Sequence, residues 1–190
     1  GSRENYFKVV TRVSYTKTLR DKVFLIGCAM NNRQLSALFD EERCEYRWLL
    51  TGRDDAFSGE DFRVGKVKVD GMDVPVIRTD CTKRGYEVWC GGETLARKLR
   101  QPVRMELEIE TKKFKTNNLF SVYLVYPTRG LDICFNYGGS SLKNVRQIGF
   151  FAGRHPSPEV VEDKGNFIKL RISDDEWIFP TSGVTFIWDA

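Results

Sequence analysis

The amino-acid sequence predicts an all-β protein made of two tandem, similar antiparallel units, each a β-sandwich or small barrel, with a short connecting helix. Apolar and polar residues alternate with a period of two along most of the chain, which is typical of half-buried strands. The sequence also matches itself at a spacing of about 96 residues, and signals for long helices are scarce. The 190 residues fit one large or two small domains, and the aromatic content of 13% suits sheet-on-sheet cores.

The internal repeat is clearest between residues 7–39 and residues 103–135, which align without a gap. The closing strands of the two halves match at a slightly longer spacing, with Trp89 against Trp188, and we expect both side chains to anchor a core rather than to form a ligand platform. A fortuitous match between unrelated alternating strands is the alternative explanation. The identical pairs are Lys17 with Lys113, Phe24 with Phe120, Arg33 with Arg129, Leu35 with Leu131, and Phe39 with Phe135.

The first unit is predicted to span residues 3–91. Residues 7–13 alternate as a strand does, and the apolar run over 23–30 is typical of a buried strand. Asp70 and Gly71 form a dipeptide that favours a tight type I′ turn, so the alternating strands on either side of it are expected to pair. The remaining predicted elements are strands over 62–69, 72–79 and 86–90 and a possible helical turn over 33–42.

Residues 92–101 are predicted to form a short basic linker helix, which would pack Leu95 and Leu99 against the neighbouring strands. The second unit is predicted over residues 102–190. It opens with the cleanest half-buried strand of the chain, 103–110, which is apolar at odd positions and charged at even ones. The remaining predicted elements are a central strand over 119–126, strands over 131–137, 167–172, 177–179 and 184–188, a loop over 138–141 and a turn over 173–176.

Composition argues against several classes of protein. The net charge of +4 is too small to indicate nucleic-acid binding, and no apolar stretch or signal peptide suggests a membrane segment or secretion. The five cysteines have long spacings, so we expect reduced thiols in a cytoplasmic protein, with those in apolar stretches buried: Cys28, Cys90 and Cys134. Gly1 and Ser2 resemble an expression remnant, and we expect a domain cut from a longer protein.

No motif in the sequence indicates catalysis. His155 is the only histidine and lies in a proline-rich loop, so a histidine-based metal site lacks further ligands. The glycines over 138–143 lack the spacing of a phosphate-binding loop. We therefore predict no catalytic residue, cofactor or metal ligand, and an enzyme built on carboxylates or a thiol is the least favoured possibility. The long polar loops over 51–61 and 152–166 are where function is expected to diverge between the units.

Basic and aromatic residues mix at a few places, and such surfaces bind anions and stack on bases. The sequence therefore predicts a non-catalytic ligand-binding or sensor module that recognises an anionic ligand, such as a nucleotide or phosphorylated group, or an acidic partner surface. Each arginine could instead brace its own turn. A structural domain that pairs with another protein through a β edge is the alternative function. The predicted ligand-binding residues are Arg33, Arg129, Tyr126, Tyr137, Lys143 and Arg146.

Overall fold

The computed structural model of the chain describes residues 5–50, 59–152 and 158–189. These residues form fourteen strands in four sheets, one α-helix and one 3₁₀-helix, which confirms the prediction of an all-β protein. Residues 51–58 of the first long polar loop and 153–157 of the second lie outside the described residues, and His155 lies there too.

The chain divides into two compact units, Gly1–Phe114 and Lys115–Ala190. The α-helix of the first unit is α1 (Asn32–Phe39), and its 3₁₀-helix spans Glu93–Lys98. The strands are β1 (Tyr6–Thr18), β2 (Val23–Ala29), β3 (Cys44–Leu49), β4 (Phe62–Val69), β5 (Met72–Asp73), β6 (Val76–Thr82), β7 (Gly85–Gly91), β8 (Pro102–Phe114), β9 (Leu119–Leu124), β10 (Thr128–Asn136), β11 (Lys143–Phe150), β12 (Glu159–Asp163), β13 (Phe167–Ile178) and β14 (Ser182–Asp189).

The first unit is built on two four-stranded sheets that share one hydrophobic core. One sheet is antiparallel with the order β1-β8-β4-β5, and the other has the order β3-β2-β7-β6. Phe62, Ile109 and Ile26 are fully buried in the shared core, at alternate positions of their strands. Asp70 and Gly71 have φ values of 49° and 78°, which fit the type I′ turn predicted between β4 and β5.

Helix α1 covers the other side of the second sheet. Asn31 caps it by accepting a hydrogen bond from the Gln34 N–H at 2.9 Å. Leu38 packs over Gly27, where a β-carbon would lie 2.5 Å from the Leu38 Cδ2 atom. The crossover through α1 allows β2 and β3 to pair in parallel, which a tight hairpin cannot do. The possible helical turn over 33–42 is therefore a capped helix.

Strand β8 lies in the first unit, although the sequence predicts that it opens the second. It pairs antiparallel with β1 along its whole length, from Tyr6 opposite Phe114 to Thr18 opposite Pro102. The opening strands of the two matched segments, β1 and β8, are thus neighbours in one sheet. The predicted linker helix is present as the 3₁₀-helix before β8, and its Leu95 is buried in the core of the first unit.

The last part of the repeat has different secondary structure in its two copies. Residues 33–39 are helical, whereas residues 129–135 belong to β10. The copies differ because the Asn31 cap starts a helix in the first of them. In the second copy, Gly130 has a φ of 68° and lies where the pairing of β10 with β13 shifts register. The duplication itself stays a prediction.

The second unit contains two three-stranded antiparallel sheets, with the orders β10-β13-β12 and β11-β14-β9. Their shared core includes Leu170 of β13 and Phe186 of β14, both buried, and Phe135 stacks on Phe186 with ring centroids 4.3 Å apart. Trp188 is 6% exposed, as expected of a core anchor.

Two local predictions for the second unit are wrong. The turn over 173–176 is absent, because β13 continues through these residues and pairs again with β10 at Trp177, opposite Arg129. Cys134 is exposed rather than buried, because it lies on the outward side of β10, between the inward-facing Ile133 and Phe135.

Candidate functional site

The six residues predicted to bind a ligand do not form one cluster. Arg33 is exposed on α1 in the first unit, and the other five belong to the second. Tyr126 and Arg129 lie at the start of β10 and Tyr137 follows its end, so a strand about 25 Å long separates them. A single ligand contacting all three of these residues would have to span the unit.

Tyr137, Lys143 and Arg146 have local partners. The Tyr137 ring is partly buried and packs against the core beside Phe135, with centroids 5.9 Å apart. Lys143 lies opposite Asp189, and the Arg146 Nη2 atom is 4.0 Å from an oxygen of the same carboxylate. The Arg146 side chain nevertheless remains 72% exposed, so this contact leaves most of it open to solvent.

Among the predicted residues, Arg129 has the most suitable surroundings for an anionic ring. It lies directly opposite Trp177 on the neighbouring strand, and Trp177 is 52% exposed. Its guanidinium group makes one long contact to the exposed Asp175 carboxylate, at 3.5 Å. An exposed arginine beside an exposed indole provides both a charge and a stacking surface.

A denser arginine–aromatic cluster lies in the first unit, where the sequence indicated only a core tryptophan. Trp89 is 3% exposed, and the guanidinium carbons of Arg43 and Arg78 lie 4.6 and 5.2 Å from its ring centroid. Arg43 also donates to the Glu41 carboxylate at 3.1 Å, and Arg78 pairs with Asp80 at 2.7 Å. The cluster draws on β3, β6 and β7, which is why spacing along the chain does not reveal it.

A buried carboxylate, Glu87, lies beneath these arginines and is 1% exposed. It accepts hydrogen bonds from Thr82 at 2.6 Å, from the Trp89 indole at 3.0 Å, and from two nitrogens of Arg84 at 2.7 and 3.3 Å. Burial alone would raise the pKa of Glu87, but these hydrogen bonds together hold it below its usual value. The third nitrogen of Arg84 donates to Glu41 at 3.0 Å.

The network around Glu87 has the arrangement of a structural brace. Each arginine in it that approaches Trp89 or Glu87 also contacts a carboxylate, so the positive charges are largely neutralised within the chain. Arg84 links Glu41, which precedes β3, to Glu87 on β7, and so joins parts of the sheet that are distant in sequence. This is the alternative in which arginines brace their own surroundings.

The most unusual surface of the second unit is the outward side of the sheet β11-β14-β9, called here the outer face. The strand register places nine positions on it in three neighbouring rows, and a charged row, Lys143 opposite Asp189, follows the first of them. Only one of the nine is charged, and five are large and apolar or aromatic. The rows are Arg146–Ile187–Leu119, Ile148–Thr185–Ser121 and Phe150–Gly183–Tyr123.

The exposed fraction is large for several of these apolar side chains: 45% for Leu119, 53% for Ile148 and 63% for Tyr123. The rings of Tyr123 and Phe150 lie side by side, with centroids 5.5 Å apart. They meet above Gly183, where a β-carbon would lie 2.8 Å from the Phe150 ring. The outward side of a solvated antiparallel sheet is normally polar, so this face has the composition of a contact surface.

Sequence reasoning missed the outer face because β9 carries apolar residues at both its odd-numbered and its even-numbered positions, which point to opposite sides of the sheet. Such a run predicts a strand covered on both sides, and the sequence analysis therefore expected a central strand. In the structure β9 is an edge strand of its sheet, with Phe120 in the core and Tyr123 exposed. A run that is apolar on both faces can thus also indicate a strand whose outer side is a contact surface.

No family model matches the chain, and neither a curated protein nor a solved structure is significantly similar to it. Within residues 5–50, 59–152 and 158–189, no group of three or more histidine, cysteine, aspartate or glutamate side chains is arranged to hold a metal ion. The same residues contain no helix that is long and apolar enough to cross a membrane.

Proposed function

We propose that this chain is a non-catalytic binding module that recognises another protein through the outer face of β11-β14-β9. The proposal rests on the pairing of the three strands, which presents Leu119, Ile148 and Tyr123 to solvent on the same face. Exposed apolar residues scattered singly are ordinary, but a contiguous group on one sheet face marks an interaction site.

Charge complementarity defines the class of partner. Arg146 is the one charged side chain in these three rows; it lies beside Ile187, 4.0 Å from the chain's own Asp189 carboxylate, and remains 72% exposed. Arginine and tyrosine are enriched among the residues that dominate binding energy at interfaces. A partner that places aliphatic or aromatic side chains over the exposed apolar residues and a carboxylate near the solvent-exposed side of Arg146 would satisfy both.

A peptide display selection against the folded chain tests this function. We expect the selected peptides to combine acidic residues with aliphatic or aromatic ones. Their affinity should fall about tenfold or more for Tyr123→Ala and for Ile148→Lys, because an apolar side chain that becomes fully buried at an interface can contribute about 1.4 kcal/mol or more. Val161→Lys, an equally exposed apolar position on β12, is the matched control and should bind normally. Peptides that bind all three variants equally would refute the proposed face.

A small anionic ligand is the second candidate function, and the placement of Arg129 opposite the exposed Trp177 favours it. A thermal-shift screen with nucleotides tests this possibility. Arg129→Ala should abolish any stabilisation by the ligand, whereas Arg171→Ala, at a similarly exposed arginine of the same sheet, should retain it. Equal responses from the two variants would exclude Arg129 as the anion site.

A further inference from the structure

Strand β6 forms an open edge of the second sheet of the first unit. It pairs with β7 on one side, and among the described residues no strand pairs with its other side. The strand contains seven residues, and its first two, Val76 and Ile77, are 47% and 52% exposed. Open edges of this length present unpaired backbone groups and invite pairing with another strand.

The hydrogen bonds of β7 show which backbone groups of β6 face outward. The Gly91 N–H donates to Pro75 on the β6 side, and the Gly92 N–H donates to Lys22 on the β2 side. Because the direction alternates along a strand, Glu87 and Trp89 also direct their backbone groups toward β6. Their partners Asp80 and Arg78 therefore bond to β7. The backbone groups of Thr79 and Cys81 consequently point away from the sheet.

We propose that β6 pairs antiparallel with β6 of a second copy of this chain, about a two-fold axis at Thr79. In that register the two Thr79 residues exchange backbone hydrogen bonds. Arg78 of each copy lies opposite Asp80 of the other, at a pair without backbone hydrogen bonds. Side chains approach most closely at such pairs, with Cα atoms about 4.5 Å apart. Arg78 and Asp80 already pair within each chain at 2.7 Å, and in this register each also faces its opposite charge across the axis, so two attractive contacts form there.

The charges of β6 favour this register over its neighbours. An axis one residue earlier would place Arg78 opposite Arg78, and an axis one residue later would place Asp80 opposite Asp80. Like charges directly opposite each other in a sheet are destabilising, so both alternatives are disfavoured. The axis at Thr79 also places Ile77 of one copy near Cys81 of the other, which covers part of the exposed apolar surface.

The proposal is tested by the association of charge-reversed chains, measured by sedimentation velocity over a wide range of concentration. Arg78→Asp alone and Asp80→Arg alone each place like charges opposite each other, and self-association should weaken about tenfold or more. An equimolar mixture of the two variants restores opposite charges at both contacts. The mixture should form heterodimers at the concentrations where wild type forms dimers.

Control variants separate this pairing from general effects of charge. Asp132→Arg and Arg171→Asp reverse an exposed cross-strand ion pair in the other unit, and both should associate like wild type. Because Arg78 also lies over Trp89, the Arg78→Asp chain requires a melting curve to show that it is folded.

A backbone variant tests the pairing independently of charge. Thr79→Pro removes an N–H that points away from β7, so the chain should fold but remain monomeric, whereas Thr79→Val should associate normally. Three results would each overturn the proposal: a wild type that stays monomeric at every concentration, a variant mixture that stays monomeric where wild type dimerises, or a Thr79→Pro chain that associates like Thr79→Val.

Discussion

Replacing Arg84 with methionine should destabilise the first unit far more than the loss of an ordinary ion pair would. The substitution preserves most of the side-chain length but leaves the Glu87 carboxylate, which is 1% exposed, without its charged partner. Glu87 would lose two of its four hydrogen bonds and keep those from Thr82 and Trp89. Breaking a buried ion pair from one side costs about 3–5 kcal/mol.

The two retained hydrogen bonds and the 26% exposure of the Arg84 side chain place the expected loss at the lower end of that range, about 3 kcal/mol. Since a domain of this kind has a free energy of unfolding of about 5–15 kcal/mol, the loss is a large share of its stability. Adding Glu87→Gln to Arg84→Met removes the buried negative charge that has lost its partner. The double variant should therefore be no less stable than Arg84→Met alone.

Chemical denaturation followed by circular dichroism measures these changes, with a two-transition fit if the two units unfold separately. The matched control is Arg171→Met, which breaks an ion pair whose side chains are about half exposed, and it should cost less than about 1 kcal/mol. If Arg84→Met costs no more than Arg171→Met, or if Glu87→Gln destabilises the Arg84→Met chain further, Glu87 is not held as a buried charge and the reasoning fails.

Three further predictions concern pH, thiols and the outer face. The pKa of Glu87 is lowered in the folded state from 4.5, so the ionised carboxylate contributes fully to stability above that pH. This contribution is lost as the pH falls through the pKa of the folded state. The stability difference between wild type and Glu87→Gln should therefore shrink in denaturation curves below about pH 4.5. A thiol reagent should label Cys81 and Cys134 in the native chain and the three buried cysteines only after unfolding, and native labelling of all five would contradict the described burial. Gly183→Ala should lower the free energy of unfolding by about 1–3 kcal/mol, because its β-carbon would lie 2.2 Å from the Val122 carbonyl oxygen. An unchanged denaturation midpoint would show that the strands can separate there.

Local signals in the sequence predicted much of the secondary structure. The alternation over 103–110 and the Asp70-Gly71 dipeptide correspond to β8 and to the turn after β4, because both depend only on neighbouring residues. Helix α1 was indicated only as a possible turn. Its cap at Asn31 is local, but its stability depends on packing over Gly27, which comes from another element.

The predicted binding residues illustrate the limit of chain proximity. Tyr126, Tyr137 and Arg129 are close in sequence, but a strand holds Tyr137 far from the other two and against the core. The residues that do converge, such as Arg43, Arg84 and Glu87, come from separate elements. Side-chain constellations of this kind depend on strand order, which no spacing along one chain specifies.

The sequence by itself determined that this protein is β-rich, that its tryptophans at positions 89 and 188 are core residues, and approximately where several strands lie, although β3, β11 and β12 have no predicted counterpart. A period of two separates the two sides of a strand, but it does not say which side is covered or which strand lies alongside. Those are non-local choices, made when distant segments pack together. Only the tertiary structure therefore decided that β8 joins β1, that β6 and β9 are edges among the described strands, and that an apolar outer face remains exposed.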